Sequence, residues 1–225
     1  MWIDVSLDLT EEFPGLRAYQ LRIMNVKVEN KDPLVAQGID DMLDYVERDV
    51  KKKYTLNDLK DIAIIRAYRD FFWRVGIDPT KIRPASEALI RRILSDKPFP
   101  RISTLVDAYN LASVVSGIPI AAFDMDKIVG KLQMRKSKIG ETFLGIGMDE
   151  PQKLSGVEVI VSDSEKLVAI YPYRDADASK VTETTKNVLF LICGVPNVED
   201  RALNESKRIV IEFITKFCGG IPIYE

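Results

Sequence analysis

The chain has 225 residues, of which 46% are hydrophobic and 29% charged, a balance that excludes a disordered polymer and suits one sizeable folded domain. Its formal net charge of −2 argues against tight nonspecific binding of a nucleic-acid backbone, while leaving room for a local basic rim. It contains no histidine, which rules out Ser-His-Asp and Cys-His catalysis and removes the commonest zinc ligand. Cys193 and Cys218 are too far apart for a metal knuckle and read as buried free thiols. No metal site and no cofactor are therefore expected. No apolar run approaches the roughly 20 residues that span a bilayer. Met1-Trp2-Ile3-Asp4-Val5 lacks the features of a secretion signal, so no membrane partner and a cytoplasmic location are expected.

In chain order, residues 2–9 alternate Trp2, Asp4, Ser6 and Asp8 against Ile3, Val5, Leu7 and Leu9, which predicts a strand. Pro14-Gly15 marks a turn and residues 16–28 alternate again, so an N-terminal hairpin is expected. Asp32 before Pro33 opens a helix with an apolar stripe of Ile39, Met42, Leu43 and Val46. A second helix is predicted from about Asn57-Asp58 to Arg74, closed by Gly76, and a third over residues 84–94. Ser103 or Thr104 caps a fourth that runs through Val115. Strands are expected over residues 118–124, 131–135, 157–162 and 167–171. Helices are expected over residues 181–192, with a Thr-rich start, and 199–217, stopped by Gly219-Gly220. The sum is a mixed α+β fold, a largely antiparallel sheet with helices packed on it. It is expected as a single domain over residues 1–225, with residues 1–60 an elaboration of a core at 65–220.

Four polar clusters interrupt this pattern. Arg83-Pro84 precedes Ser86 and Glu87, whose place in a first helical turn favours an anion. Asp107 and Asn110 share a helix face, and either satisfies buried backbone groups or reads a ligand. Ala121 and Ala122 before Phe123-Asp124 leave room over a sheet, for a ligand or for a closely packed helix. Arg174-Asp175 lies ahead of Lys180 and the Thr182-Glu183-Thr184-Thr185 run, where it reads as an ion pair or a grip for a carboxylate, phosphate or amine.

Taken in order, residues 83–89, 106–110, 117–124, Gly130, Arg135, Gly140-Glu141 and Gly219-Gly220 resemble the B3/B4 domain of the phenylalanyl-tRNA synthetase β subunit. The densest match is the Val106-Asp107-x-x-Asn110 helix, the Gly117-x-Pro119 turn, the Ala122-Phe123-Asp124 strand end, and a basic strand leading to Gly140-Glu141. The likeness covers about residues 65–220, without aminoacylation or anticodon-binding motifs, so the chain resembles the stand-alone B3/B4 proteins. The resemblance implies a pocket that hydrolyses tyrosine wrongly attached to the phenylalanine tRNA, with tRNA or aminoacyl-tRNA as partner, or a free amino acid. It places Asn110 and the Thr182-Glu183-Thr184 segment at the pocket. With the polar clusters above, Asn110 and Glu183 are the catalytic candidates, and Arg83, Glu87, Asp124, Arg135, Arg174, Thr182 and Thr184 the substrate-binding ones. The chain departs from the family at Ala121, where a histidine commonly precedes the Ala-Phe-Asp segment. Three functions follow as alternatives: an aminoacyl-tRNA deacylase, a binding module without chemistry, and an interaction protein with a remnant pocket. Arg83, Arg135 and Arg174 rimming one cavity with Glu183 inside would favour the first two.

Overall fold

The computed structural model describes residues 1–224. In chain order the elements are β1 (Asp4–Val5), α1 (Leu7–Glu12), β2 (Arg17–Met24), α2 (Pro33–Lys53), α3 (Ala63–Arg74), α4 (Ala85–Leu94) and α5 (Thr104–Ser116). They continue with β3 (Ile120–Asp124), β4 (Gln133–Lys136), β5 (Thr142–Phe143), β6 (Gln152–Lys153), β7 (Val159–Ser162), β8 (Leu167–Ile170), β9 (Arg174–Asp175), β10 (Val188–Gly194), α6 (Asp200–Cys218) and β11 (Ile221–Ile223).

Local chemistry sets several of these boundaries. The Asp32 side chain accepts from the Leu34 amide at 2.9 Å ahead of α2, and Ser103 Oγ accepts from the Val106 amide at 3.2 Å ahead of α5. Each satisfies an amide that the first helical turn leaves without a partner. Gly117 closes α5 at φ 72°, a left-handed conformation in which a Cβ is strained.

Three layers result. One sheet has the order β11-β2-β10-β3 and is antiparallel throughout. The second has the order β1-β4-β7-β8-β9, antiparallel except for the parallel β1–β4 pair. Helices α2, α4, α5 and α6 cover one face of the first sheet, in a core that includes Ile23, Leu111, Ala122, Phe190 and Phe213. The opposite face packs on the second sheet and on α3, with Ala121, Phe123, Leu189 and Leu191 meeting Val161, Ala169, Tyr68 and Phe71. The fold is α+β with mixed, mostly antiparallel sheets, as the periodicity predicts. Among the described residues, no helix is long and apolar enough to cross a membrane.

Two expectations about secondary structure are corrected. Residues 2–9 do not form one strand of a hairpin: Asp4–Val5 pairs in parallel with Gln133–Met134, and Leu7–Glu12 is helical. The segment's backbone pairing with β2 is limited to a bridge between Trp2 and Tyr19 and to bonds such as Ile3 N–H to Ala18 O at 3.0 Å, with the Trp2 ring edge-on to Tyr19 at 5.2 Å. Leu9 and Phe13, four residues apart, are both buried, and that helical spacing prevailed over the alternating one. Residues 181–192 are not a helix either. Thr182 to Asn187 form a turn, and β10 begins at Val188 with every residue buried. A strand covered on both faces loses its alternation and reads as a continuous apolar run, indistinguishable by period from a buried helix.

Because Phe190 of β10 is fully buried in the helical core and stacks edge-on with Tyr109 at 6.1 Å, truncation leaves a void at the centre of the fold. Phe190→Ala is expected to cost about 3–5 kcal/mol. In a chain of this size that corresponds to a fall in melting temperature on the order of 10 °C, measurable by circular dichroism.

Candidate functional site

The two sheets do not close completely. Between the start of β3, the end of β10 and the β8–β9 corner lies a cavity of about 80 Å³. Its floor is apolar: Ala121 pairs in register with Leu191, and Cys193 follows on the same strand. Ala169 closes the side formed by the second sheet, and Ala85, the first residue of α4, reaches the rim. The small side chains on β3 and β8 make the space, in the place where Ala121 and its neighbours suggest room over a sheet.

Buried tyrosines fix the walls. The Tyr171 hydroxyl donates to Gly194 O at 2.8 Å and Arg17 O at 3.1 Å, and the Tyr68 hydroxyl donates to Cys193 O at 2.5 Å. Loss of water around both phenols raises them well above their ordinary range, so both stay protonated as donors.

Two charged groups line the cavity. Arg174 lies across the backbone of Gly145, its Nη2 donating to the Tyr173 hydroxyl at 3.2 Å, and no carboxylate pairs with it among the described residues. Asp175, next in the strand, also lines the cavity, and no group hydrogen-bonds or ion-pairs with its carboxyl among the described residues. Although adjacent in the strand and both at the cavity wall, the two do not pair with each other. Desolvation pushes the Asp175 carboxyl up to about 7. Burial, and after it the charge of Asp175, also push up the Tyr109 hydroxyl and the Cys193 thiol, leaving both neutral.

The other expected site residues are placed elsewhere. Asp124 sits at the far end of β3, roughly 10 Å along the strand from Ala121. Its Oδ2 accepts from Thr185 Oγ1 at 2.7 Å, and Thr185 in turn accepts from the Thr182 amide at 3.0 Å. Asp124, Thr182, Glu183 and Thr184 thus gather at one turn, away from the cavity lining, with Glu183 and Thr184 exposed. The Thr-rich helix start expected to hold Glu183 is absent, because the chain enters β10 instead. Asn110 is half-buried on α5 and does not line the cavity. Glu87, in the first turn of α4, is fully buried, taking Arg69 Nη1 at 2.9 and 3.2 Å and Arg91 Nε at 2.7 Å. Arg135 is gripped by Glu141 through two bonds of 2.7 and 3.0 Å. Arg83, Arg135 and Arg174 line three separate depressions, so no single arginine-rimmed pocket forms. Of the nine expected residues only Arg174 lines the cavity. Asp175, expected with Arg174 either as an ion pair or as a ligand grip, lines the cavity without pairing to it.

Comparison with known proteins bears on this arrangement. A sequence model described as the B3/4 domain matches residues 67–212. The phenylalanine–tRNA ligase beta subunit of Malacoplasma penetrans is 24% identical over 186 residues, which cover 83% of this chain and 23% of that protein. The corresponding subunit of Mycoplasma genitalium is 26% identical over 131 residues, covering 57% and 16%. That of Staphylococcus saprophyticus is 30% identical over 141 residues, covering 62% and 17%. The matched region is thus less than a quarter of each of these relatives. In three dimensions the chain resembles the crystal structure of an N-terminal fragment of the phenylalanyl-tRNA synthetase beta-subunit from Pyrococcus horikoshii. The TM-score is 0.51 at 14% identity, covering 98% of this chain and 49% of the other, a likeness of fold.

The Asp175 carboxyl gives a pH-dependent expectation. Its pKa rises from 3.8 to about 7 on folding, so its charge opposes folding increasingly between those two values and fully above the second. Asp175→Asn is therefore expected to melt higher than the wild type at pH 8, with the difference vanishing toward pH 4. Melting curves across that range check it; an equal difference at both ends would discount desolvation of Asp175.

Proposed function

The chain belongs to the B3/4 domain family, and from that premise we propose that its cavity receives the aminoacyl end of a charged tRNA, or the corresponding free amino acid, with a small side chain. The observation that carries this reading is the unpartnered Asp175 carboxyl in a largely apolar cavity. A desolvated acid without a cation lacks half of an ion pair, and the α-ammonium of an aminoacyl group supplies the other half. Arg174 brings donors to the same rim for the adjoining ester or carboxylate oxygen. The volume of about 80 Å³ is well below the roughly 300 Å³ at which ligand pockets for drug-sized molecules begin, and it limits the occupant to a few heavy atoms. The names of the relatives, all tRNA ligase subunits, support a charged tRNA as the carrier of that group.

A second reading, hydrolysis, is favoured by one specific observation. A carboxyl titrating near 7 is matched to general-base work at neutral pH in a chain without histidine. In that case Asp175 takes a proton from a water that attacks the ester carbon, the carbon–ribose oxygen bond breaks, and the ribose hydroxyl leaves with a proton.

One variant separates the two. If Asp175 grips the ammonium, Asp175→Asn weakens binding of amino acids and aminoacyl-tRNA, seen as loss of ligand-induced thermal stabilisation. If it is the base, the same variant keeps binding and loses about 10²–10⁴ in single-turnover deacylation of a misacylated tRNA panel. Glu183→Gln, at the exposed turn, is expected to change neither. No stabilisation by any amino acid and no deacylation of any charged tRNA by the wild type would overturn both readings.

A further inference from the structure

A second concavity lies along α4. Ala88, Arg91, Arg92 and Ser95 follow one another at helical spacing and share one face of that helix, while Leu89, Ile90 and Ile93 bury the other. With Lys81 and Arg83 from the preceding loop and Lys97 after the helix, this face lines an open depression of about 460 Å³. Five cations line it and no carboxylate does. The acids nearby are already engaged: Glu87 holds Arg69 and Arg91, and Asp96 is paired with Lys51 at 2.6 Å. Arg92 spends its Nε and Nη2 on Pro98 O. Lys81, Arg83 and Lys97 make no ion pair among the described residues, although the charge of Lys81 helps to lower the nearby Asp78 carboxyl. In a chain of net charge −2, five cations converging on one hollow, three of them in no ion pair, is a local segregation of charge rather than a solvated average.

We propose that this depression binds the phosphodiester backbone of a single-stranded RNA without reading its bases. Convergent, unpaired Lys and Arg side chains suit a partner carrying several negative charges in a row. No aromatic side chain lines the hollow, so there is no platform on which a base would stack, and contacts there position a strand rather than select its sequence. Its concavity suits a strand better than a flat lipid surface. The choice of RNA over an acidic peptide rests on the reading of the cavity given above. Arg83 stands two residues from Ala85, which lines the rim of that cavity, so a strand held along α4 delivers its end there.

The test uses uncharged RNA, so that it does not depend on what the cavity binds. Fluorescence anisotropy with labelled oligouridylate and oligoadenylate is measured between 50 and 200 mM salt. Binding should be similar for both sequences, with a log–log salt slope of about −2 for three phosphate contacts. The triple variant Lys81→Ala, Arg83→Ala, Lys97→Ala should lose tenfold or more at low salt and most of that slope. Its melting temperature should be unchanged, since all three side chains are exposed and unpaired. Asp175→Asn should bind these RNAs like the wild type. Wild-type affinity in the triple variant, absence of a salt slope, or tighter binding of a polyglutamate peptide or of anionic phosphatidylglycerol vesicles would each overturn the proposal. RNA binding that follows this pattern, alongside a cavity that takes no amino acid, would leave the groove assigned and remove only the reading of the cavity.

Discussion

The burial of β10 on both faces is the constraint from which the rest of the structure follows. Each of its seven residues is covered, Phe190 by the helical layer and Leu189, Leu191 by the second sheet. Its backbone is saturated on either side by β2 and β3. A strand in that position cannot shift by one residue without exchanging the two cores, because side chains alternate strictly between faces. The register that aligns Ala121 with Leu191, and hence the cavity floor, is therefore fixed by the packing of the whole domain rather than by the cavity itself.

Two buried or partly buried acids show opposite solutions to one problem. Glu87 has no exposure at all, yet two guanidinium groups reach it, so its charge is distributed over a hydrogen-bonded triad that also ties α3 to α4. Asp175 is half-buried and takes no hydrogen bond or ion pair on its carboxyl among the described residues. The first arrangement belongs to the scaffold, because every donor and acceptor is used within the chain. The second leaves an electrostatic vacancy, and such unmatched groups gather where a protein meets something outside itself.

Much of the architecture was legible from local chemistry. The caps at Asp32 and Ser103, the Pro84 entry to α4 and the glycines after α5 and α6 act within a few residues, so their signal survives in the sequence alone. The segments that misled were those whose conformation is decided at long range. Residues 2–9 alternate like a strand, but Leu9 and Phe13 are buried at helical spacing, and Val188 to Gly194 lost its alternation because both faces are covered. The second correction also moves Glu183 from a helix start to an exposed turn. Glu183 drew its interest from a helix terminus that does not form, whereas Arg174 and the small Ala121 were recognisable from residue type alone. What the sequence concealed at Asp175 was an absence: among the described residues, neither its adjacent arginine nor any other cation pairs with it.

The alanines at 121 and 169 have a further consequence. They stand on strands from two different sheets, and both belong to the hydrophobic core that joins those sheets. Widening the gap between them would mean prising apart the domain, so the opening has the stiffness of the core and not of a loop. An occupant one methylene too large meets a wall that does not yield, in a setting where a single such group is ordinarily worth about 1–3 kcal/mol of discrimination. The domain as a whole thus serves as the gauge, and its tolerance is set by how closely two layers of backbone can be held.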